Sequence, residues 1–243
     1  MGVLQDCGVT TVHHYAPLHY LPFIARSRSL MCKPSLAAAG FGPSHLRSMS
    51  KDHDVSRGFI SYAHLTLDEQ PRILKAKLAA GFPHIAFGIP VGAVEASPYS
   101  LCRFNVAMTR YLRRDGQPGF EESPTNGRYY DGHQIPIARD DADKAAMLNE
   151  HLPAGTMIEV LVHGDLPLPD DATVVTYSQE DTDLAKAVLK SIGAPWGVEL
   201  EAAPGPYPLS KEYAESVSSF VDQALADPAW RGNGLEFDRV KPK

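Results

Sequence analysis

The order of segments along the chain predicts an α+β fold, and three observations carry that prediction. Strand-like and helix-like runs follow one another without the strict strand–helix–strand alternation of a doubly wound sheet. The 20 prolines and 19 glycines are spread over all 243 residues, which favours short elements joined by long loops. An apolar fraction of 44% beside 21% charged residues belongs to a chain with a packed core, near the upper size of one domain. A single domain over 1–243 is therefore expected.

The elements follow in order. Gly8-Val9-Thr10-Thr11-Val12-His13-His14-Tyr15 is rich in β-branched and aromatic residues and reads as a first strand. A short helix comes next, with Leu21, Ile24 and Leu30 near helical spacing and Pro22 tolerated only in its first turn. Ser35 to Arg57 is polar and without period, and reads as a loop. Gly58-Phe59-Ile60-Ser61-Tyr62-Ala63 reads as a second strand. Gln70-Pro71 opens a helix with Ile73, Leu74, Leu78 and Ala79 on one apolar face, stopped by Gly81. His84 to Ile89 is a third strand, Leu101 to Arg114 is helical by pattern, and Asp115 to Pro136 is polar and Gly-rich. A helix over Asp141 to His151 leads to the clearest strand, Met157-Ile158-Glu159-Val160-Leu161-Val162-His163. Ala172 to Tyr177 adds a strand, Asp181 to Ile192 a helix, and Lys211 to Ala226 an amphipathic helix.

Several function classes are disfavoured at once. Cys7, Cys32 and Cys102 are odd in number and form no CxxC pair, which argues against a disulfide framework or a zinc knuckle. Cys102, in its helical pattern, reads as a small core residue. A net charge of −6 gives no overall attraction to nucleic acid, so a local patch must bind any polyanion. No run approaches the roughly 18 apolar residues that span a bilayer, and Met1 to Thr11 lacks a secretory pattern. No membrane association and a cytoplasmic location are expected. GxGxxG, P-loop and GxSxG motifs are absent, which weakens dehydrogenase, NTPase and α/β-hydrolase readings.

Glu159 is the first candidate for chemistry. Glutamate is a poor strand former, yet it stands between Ile158 and Val160 on a face shared with Met157, Leu161 and His163. It is either an edge-strand charge that discourages aggregation or a carboxylate placed in a cleft. His14 is the second. His13, His14 and His19 cluster, but their spacing matches no metal-ligand pattern, and on a strand His13 and His14 point to opposite faces. A satisfied, partly buried histidine is the plainer alternative. Ser61 and Tyr62 end the second strand and fit either ordinary strand composition or a platform for a flat ligand. Among the basic clusters, Arg26 with Arg28 and Arg110 with Arg113 and Arg114 suit solvated helix faces. Arg128, Tyr129 and Tyr130 lie in a Gly-rich stretch and suit stacking on unpaired bases.

Together these segments resemble the DarT family of ADP-ribosyltransferases. His14 followed by Leu21-Pro22 and Ile24 is similar to the family's first motif, a histidine ending a strand before a short "LPxI" helix. Met157 to Val162, with Leu166-Pro167-Leu168 after it, is similar to the strand of its catalytic glutamate. His84 to Val91 and then Arg103-Phe104-Asn105-Val106-Ala107 resembles its middle section. The resemblance covers about residues 9–180, and the tail after Gly193 is unassigned. It implies a split mixed or antiparallel sheet with flanking helices and long loops. It also implies NAD as ADP-ribose donor with no metal, a base of single-stranded DNA as acceptor, and a toxin restrained by a macrodomain-containing antitoxin. Glu159 would be catalytic, His14, Tyr15, Ser61 and Tyr62 would contact NAD, and Arg128, Tyr129 and Tyr130 would contact DNA.

The chain departs from the family's pattern at the second strand. Phe59-Ile60-Ser61-Tyr62 stands where the family often has Phe-x-Pro-Arg, so Tyr62 replaces an arginine; either Arg57 or Arg72 substitutes for it, or the chain is of a divergent subgroup with a different acceptor. Met157 replaces a polar residue, and Ala16 a small hydroxyl residue. The rivals are a transferase acting on RNA or protein, a histidine-based metal-dependent hydrolase, and a non-catalytic nucleotide-binding module.

Overall fold

The computed structural model describes residues 2–42, 45, 59–68, 72–103, 129–130, 135–155, 157–203, 205, 207, 211–233 and 235. For residues 72, 73, 129, 130, 135 and 136 it describes the backbone alone. The strands are β1 (Thr11–Pro17), β2 (Ser29–Leu30), β3 (Tyr62–Thr66), β4 (His84–Pro90), β5 (Tyr99–Cys102), β6 (Tyr129–Tyr130), β7 (Ile135–Ala138), β8 (Glu159–His163), β9 (Leu166–Pro167), β10 (Thr173–Thr176) and β11 (Gly197–Leu200). The described helices are α1 (Val3–Asp6), α2 (Leu21–Ser27), α3 (Lys33–Ala38), α4 (Arg72–Ala79), α5 (Val91–Glu95), α6 (Asp141–His151), α7 (Gln179–Ile192) and α8 (Lys211–Ala226).

The described strands build a nine-stranded sheet in the order β11-β10-β4-β1-β3-β8-β5-β7-β6, with β2 and β9 paired apart from it. Its neighbours are antiparallel except β10 and β11, which lie parallel across the α7 connection. This is the α+β class that the segment order predicts, with the mixed, largely antiparallel sheet that the resemblance implies. The sheet is nearly split at its centre. β1 pairs with β4 over seven positions, but with β3 at the single position His13↔Thr66.

Local chemistry sets many element ends. Pro22 and Pro34 each occupy a first helical turn, where a missing N–H breaks no bond. Asp140 and Ser178 cap α6 and α7 by accepting from Asp143 N and Asp181 N. Gly193, at φ 73°, ends α7 in a left-handed conformation that a Cβ would strain. The amino end of α1 is capped from a distance: Glu95 accepts from Gly2 N at 3.1 Å and Leu4 N at 2.7 Å.

Four sequence expectations are corrected. The second strand, expected over Gly58 to Ala63, is Tyr62–Thr66, and the described residues Phe59 to Ser61 precede it, because pairing with β8 begins only at Tyr62↔His163. Lys33–Ala38 is helical, so the loop expected from Ser35 starts later. Leu101 and Cys102 belong to β5, not to a helix, because they pair with Val160 and Glu159 of β8. Cys102 is still a buried core residue. Tyr129 and Tyr130 pair with Pro136 and Ile135, so the polar stretch contains a short β ladder.

One sheet face packs the main core, with Val12, Ala16, Phe87, Ile89, Leu65, Val160 and Val162 among its members. Across the sheet, Leu74 and Leu78 of α4 cover Ala86, Val175 and Tyr177. A third cluster ties the tail to the amino-terminal half. Phe220 of α8 lies 4.9 Å from His19, 5.9 Å from Phe23 and 4.7 Å from Trp230 between ring centroids. Phe220→Ala is expected to cost about 3–5 kcal/mol, read as a lower denaturation midpoint with an unchanged m-value.

Candidate active site

Glu159 opens β8, which lies between β3 and β5 in the interior of the sheet. The edge-strand explanation is thereby excluded. The residue is 4% exposed, and a carboxylate buried to that degree requires a partner. One partner is His64 on β3, whose Nδ1 lies 3.0 Å from Glu159 Oε1. The register explains the contact. His64 pairs with Leu161 and Thr66 with Glu159, so His64 and Glu159 are diagonal neighbours on one face.

The His64 ring is fixed at its other nitrogen too, with Nε2 3.2 Å from the Phe59 carbonyl oxygen. Phe59 is buried, so the turn leading into β3 holds the ring from behind. His14 reaches the same residue from β1. Its Nδ1 donates to the His64 carbonyl at 2.9 Å, beside the single β1–β3 pair where the sheet opens. That bond selects the Nδ1–H tautomer, and burial holds the His14 imidazole below its ordinary pKa, so the ring is neutral with Nε2 as an acceptor. His64 therefore touches both residues singled out in the sequence, from opposite sheet faces: its backbone carbonyl accepts from His14 and its ring meets Glu159.

The other sequence candidates are placed as follows. His13 and His14 point to opposite faces, and His13 shares the Thr66 and Glu159 face by register. Tyr15 is partly buried, and its hydroxyl donates to the Asp68 carbonyl at 2.8 Å beyond the end of β3. Ser61 precedes β3, and its carbonyl accepts from Gly164 N at 2.8 Å. Tyr62 lies two residues from His64 on the same face, with its ring edge-on to His163 at 5.1 Å. A cavity of about 230 Å³ lined by Cys7, Gly8, Thr11, His13 and Leu67 lies at the Glu159 end of these strands.

His19 does not join the site. It is fully buried against Tyr20 and Phe220, so the three early histidines do not converge. Among the described residues no group of three or more His, Cys, Asp or Glu is placed to hold a metal ion. Arg128 and Arg57 lie outside the described residues, as do Arg110, Arg113 and Arg114, and Arg72, Tyr129 and Tyr130 are described only in their backbone. No described helix is long and apolar enough to cross a membrane.

His64 is the site residue that sequence reasoning missed. The signal was the alternation Tyr62-Ala63-His64-Leu65-Thr66, whose apolar odd positions enter the core and whose polar even positions share the face of Glu159.

No protein-family model and no curated protein matches the chain. Solved structures do. The chain superposes on Thermus sp. 2.9 DarT in complex with ADP-ribosylated ssDNA with a TM-score of 0.53 and 12% identity, covering 80% of this chain and 95% of that one. The fold is that of DarT. Structures of the same protein with NAD+ and with carba-NAD+ give TM-scores of 0.51 and 0.52 at 13% and 14% identity, each covering 79% of this chain and 96% of the other. The split, largely antiparallel α+β sheet implied by the sequence resemblance is therefore present, with the likeness in fold extending over most of both chains.

Proposed function

We propose that this single-domain protein is an NAD-dependent ADP-ribosyltransferase that modifies a base of single-stranded DNA, with Glu159 as its catalytic carboxylate. The observation that carries the proposal is a buried carboxylate on an interior strand of a DarT-like sheet, held by an imidazole beside the opening between β1 and β3. Burying a carboxylate is costly, and catalysis of glycosidic cleavage supplies a use for one, an ionised carboxylate beside the ribose.

The residues suit that chemistry. The bond between ribose C1′ and nicotinamide breaks, and its electron pair leaves on the nicotinamide ring. Glu159 accepts a hydrogen bond from the ribose 2′-hydroxyl and stabilises the positive charge that develops at C1′. The acceptor nitrogen supplies the electron pair of the new C1′–N bond, and its proton passes to Glu159 and then to solvent. His14, a neutral ring with an acceptor at Nε2, suits a contact with a ribose hydroxyl. Tyr15, Ser61 and Tyr62 complete the proposed NAD contacts, and Arg128, Tyr129 and Tyr130 the proposed DNA contacts. On the same reading the protein is a cytoplasmic toxin, and a macrodomain-type antitoxin is its partner and removes the modification.

The deciding experiment is incubation with NAD and short single-stranded oligonucleotides of differing base content, followed by intact mass. A gain of one ADP-ribose on one oligonucleotide is expected and names the base. NAD consumption only with RNA or protein moves the acceptor while keeping the Glu159 chemistry. No NAD consumption with any acceptor overturns the transferase reading.

A further inference from the structure

Three hydrogen-bonding contacts of His64 have donor and acceptor roles that fix its charge. Its carbonyl accepts from His14, while its two ring nitrogens face the Glu159 carboxylate at 3.0 Å and the Phe59 carbonyl at 3.2 Å. A carbonyl oxygen can only accept, so Nε2 carries a hydrogen. A neutral ring would then turn a bare Nδ1 lone pair toward a carboxylate oxygen, which is repulsive, so a second proton lies between Nδ1 and Oε1. An imidazole nitrogen is a stronger base than a carboxylate oxygen, so that proton resides on nitrogen. The result is an imidazolium bonded to a carboxylate, the stronger, charge-assisted kind of hydrogen bond.

We infer that His64 is the positioning residue of the Glu159 site, a fixed cation that holds the carboxylate and sets its orientation toward the reacting ribose. The inference rests on the transferase reading above and adds to it a residue absent from the sequence candidates. The surroundings support a built position. The ring is anchored at Nε2 by the carbonyl of the buried Phe59, and the backbone is anchored by His14, so Glu159 meets a donor that is already placed. An oriented carboxylate matters for rate more than for affinity, because a displacement of about 1 Å costs about 10²-fold in the chemical step.

The test uses the full chain as wild type, His64→Gln and His64→Arg. For His64→Gln, kcat for NAD consumption is expected to fall about 10²-fold, with KM for NAD within about twofold of wild type. His64→Arg restores a cation and is expected to recover part of that loss, which a merely structural role would not predict. Nitrogen-15 spectra of histidine-labelled protein at pH 7 give an answer independent of turnover. The signal missing from His64→Gln should show both ring nitrogens protonated in wild type, and only one in Glu159→Gln. Wild-type kcat in His64→Gln, a loss confined to KM, or a neutral His64 ring in wild type would each overturn the inference and leave the transferase reading standing. Absence of any wild-type NAD turnover would instead overturn that reading, and the role of His64 in it.

Discussion

Glu159→Gln is expected to lower ADP-ribose transfer by about 10²–10³-fold, with the circular dichroism spectrum unchanged. The substitution keeps the volume of a side chain buried between β3 and β5 and keeps an oxygen that accepts from His64 Nδ1. What it removes is the negative charge. In the proposed reaction, loss of nicotinamide leaves positive charge on the ribose, and a neutral amide stabilises that charge far less than a carboxylate in a site shielded from water. The measurement is the rate of mass gain on the reactive oligonucleotide under saturating NAD. A variant with wild-type rate would remove Glu159 from the chemistry. A variant that fails to fold would show instead that the His64–Glu159 pair is needed for the sheet itself.

Acid is expected to unfold the protein steeply, because histidines are buried in neutral form. His19 is fully buried, and burial, with repulsion from His84 and His45, pushes its pKa down to about 3. His84 is held at about 4, chiefly by burial, with the Lys77 ammonium adding to the shift. In the unfolded chain both titrate near 6.5. Above that pH neither state is charged, and these groups leave stability independent of pH. Below it the unfolded state takes up protons that the folded state refuses, so stability falls as pH falls, until the folded pKa values are reached. Each such group contributes about 1.4 kcal/mol per pH unit, so the two together give a slope of about 2.7 between pH 6 and pH 4. His14 and His151 are shifted in the same direction and steepen it. That loss is comparable to the whole stability of an ordinary domain. Urea midpoints measured from pH 7 to pH 4 check the slope. His19→Phe, which keeps a ring against Phe220, should remove about half of the contribution of the pair.

How far the site was legible in the sequence differs from residue to residue. Glu159 stood out because a carboxylate interrupts a run of β-branched and aliphatic residues. Whether it was an edge charge or a buried one was not legible, because strand order is set by pairings nearly one hundred residues apart, such as Thr66 with Glu159. His64 was hidden by a boundary. Phe59 and Ile60 look like strand residues, but they are spent in the turn that fixes the His64 ring, and the ladder to β8 starts only at Tyr62. Leu101 and Cys102 continued a helical pattern in sequence, yet β8 offers them paired strand positions, and long-range hydrogen bonding outweighs a weak local preference.

The sequence by itself determined the α+β class, the helices Asp141–His151 and Lys211–Ala226, and the position of the one carboxylate on the clearest strand. These depend on periodicity, capping and local composition, which act over a few residues. Only the tertiary structure decided that the sheet opens between β1 and β3, that β8 is interior, and that His64 joins His14 to Glu159. Those features depend on register between distant strands, where moving a pairing by one residue would turn every side chain to the other face.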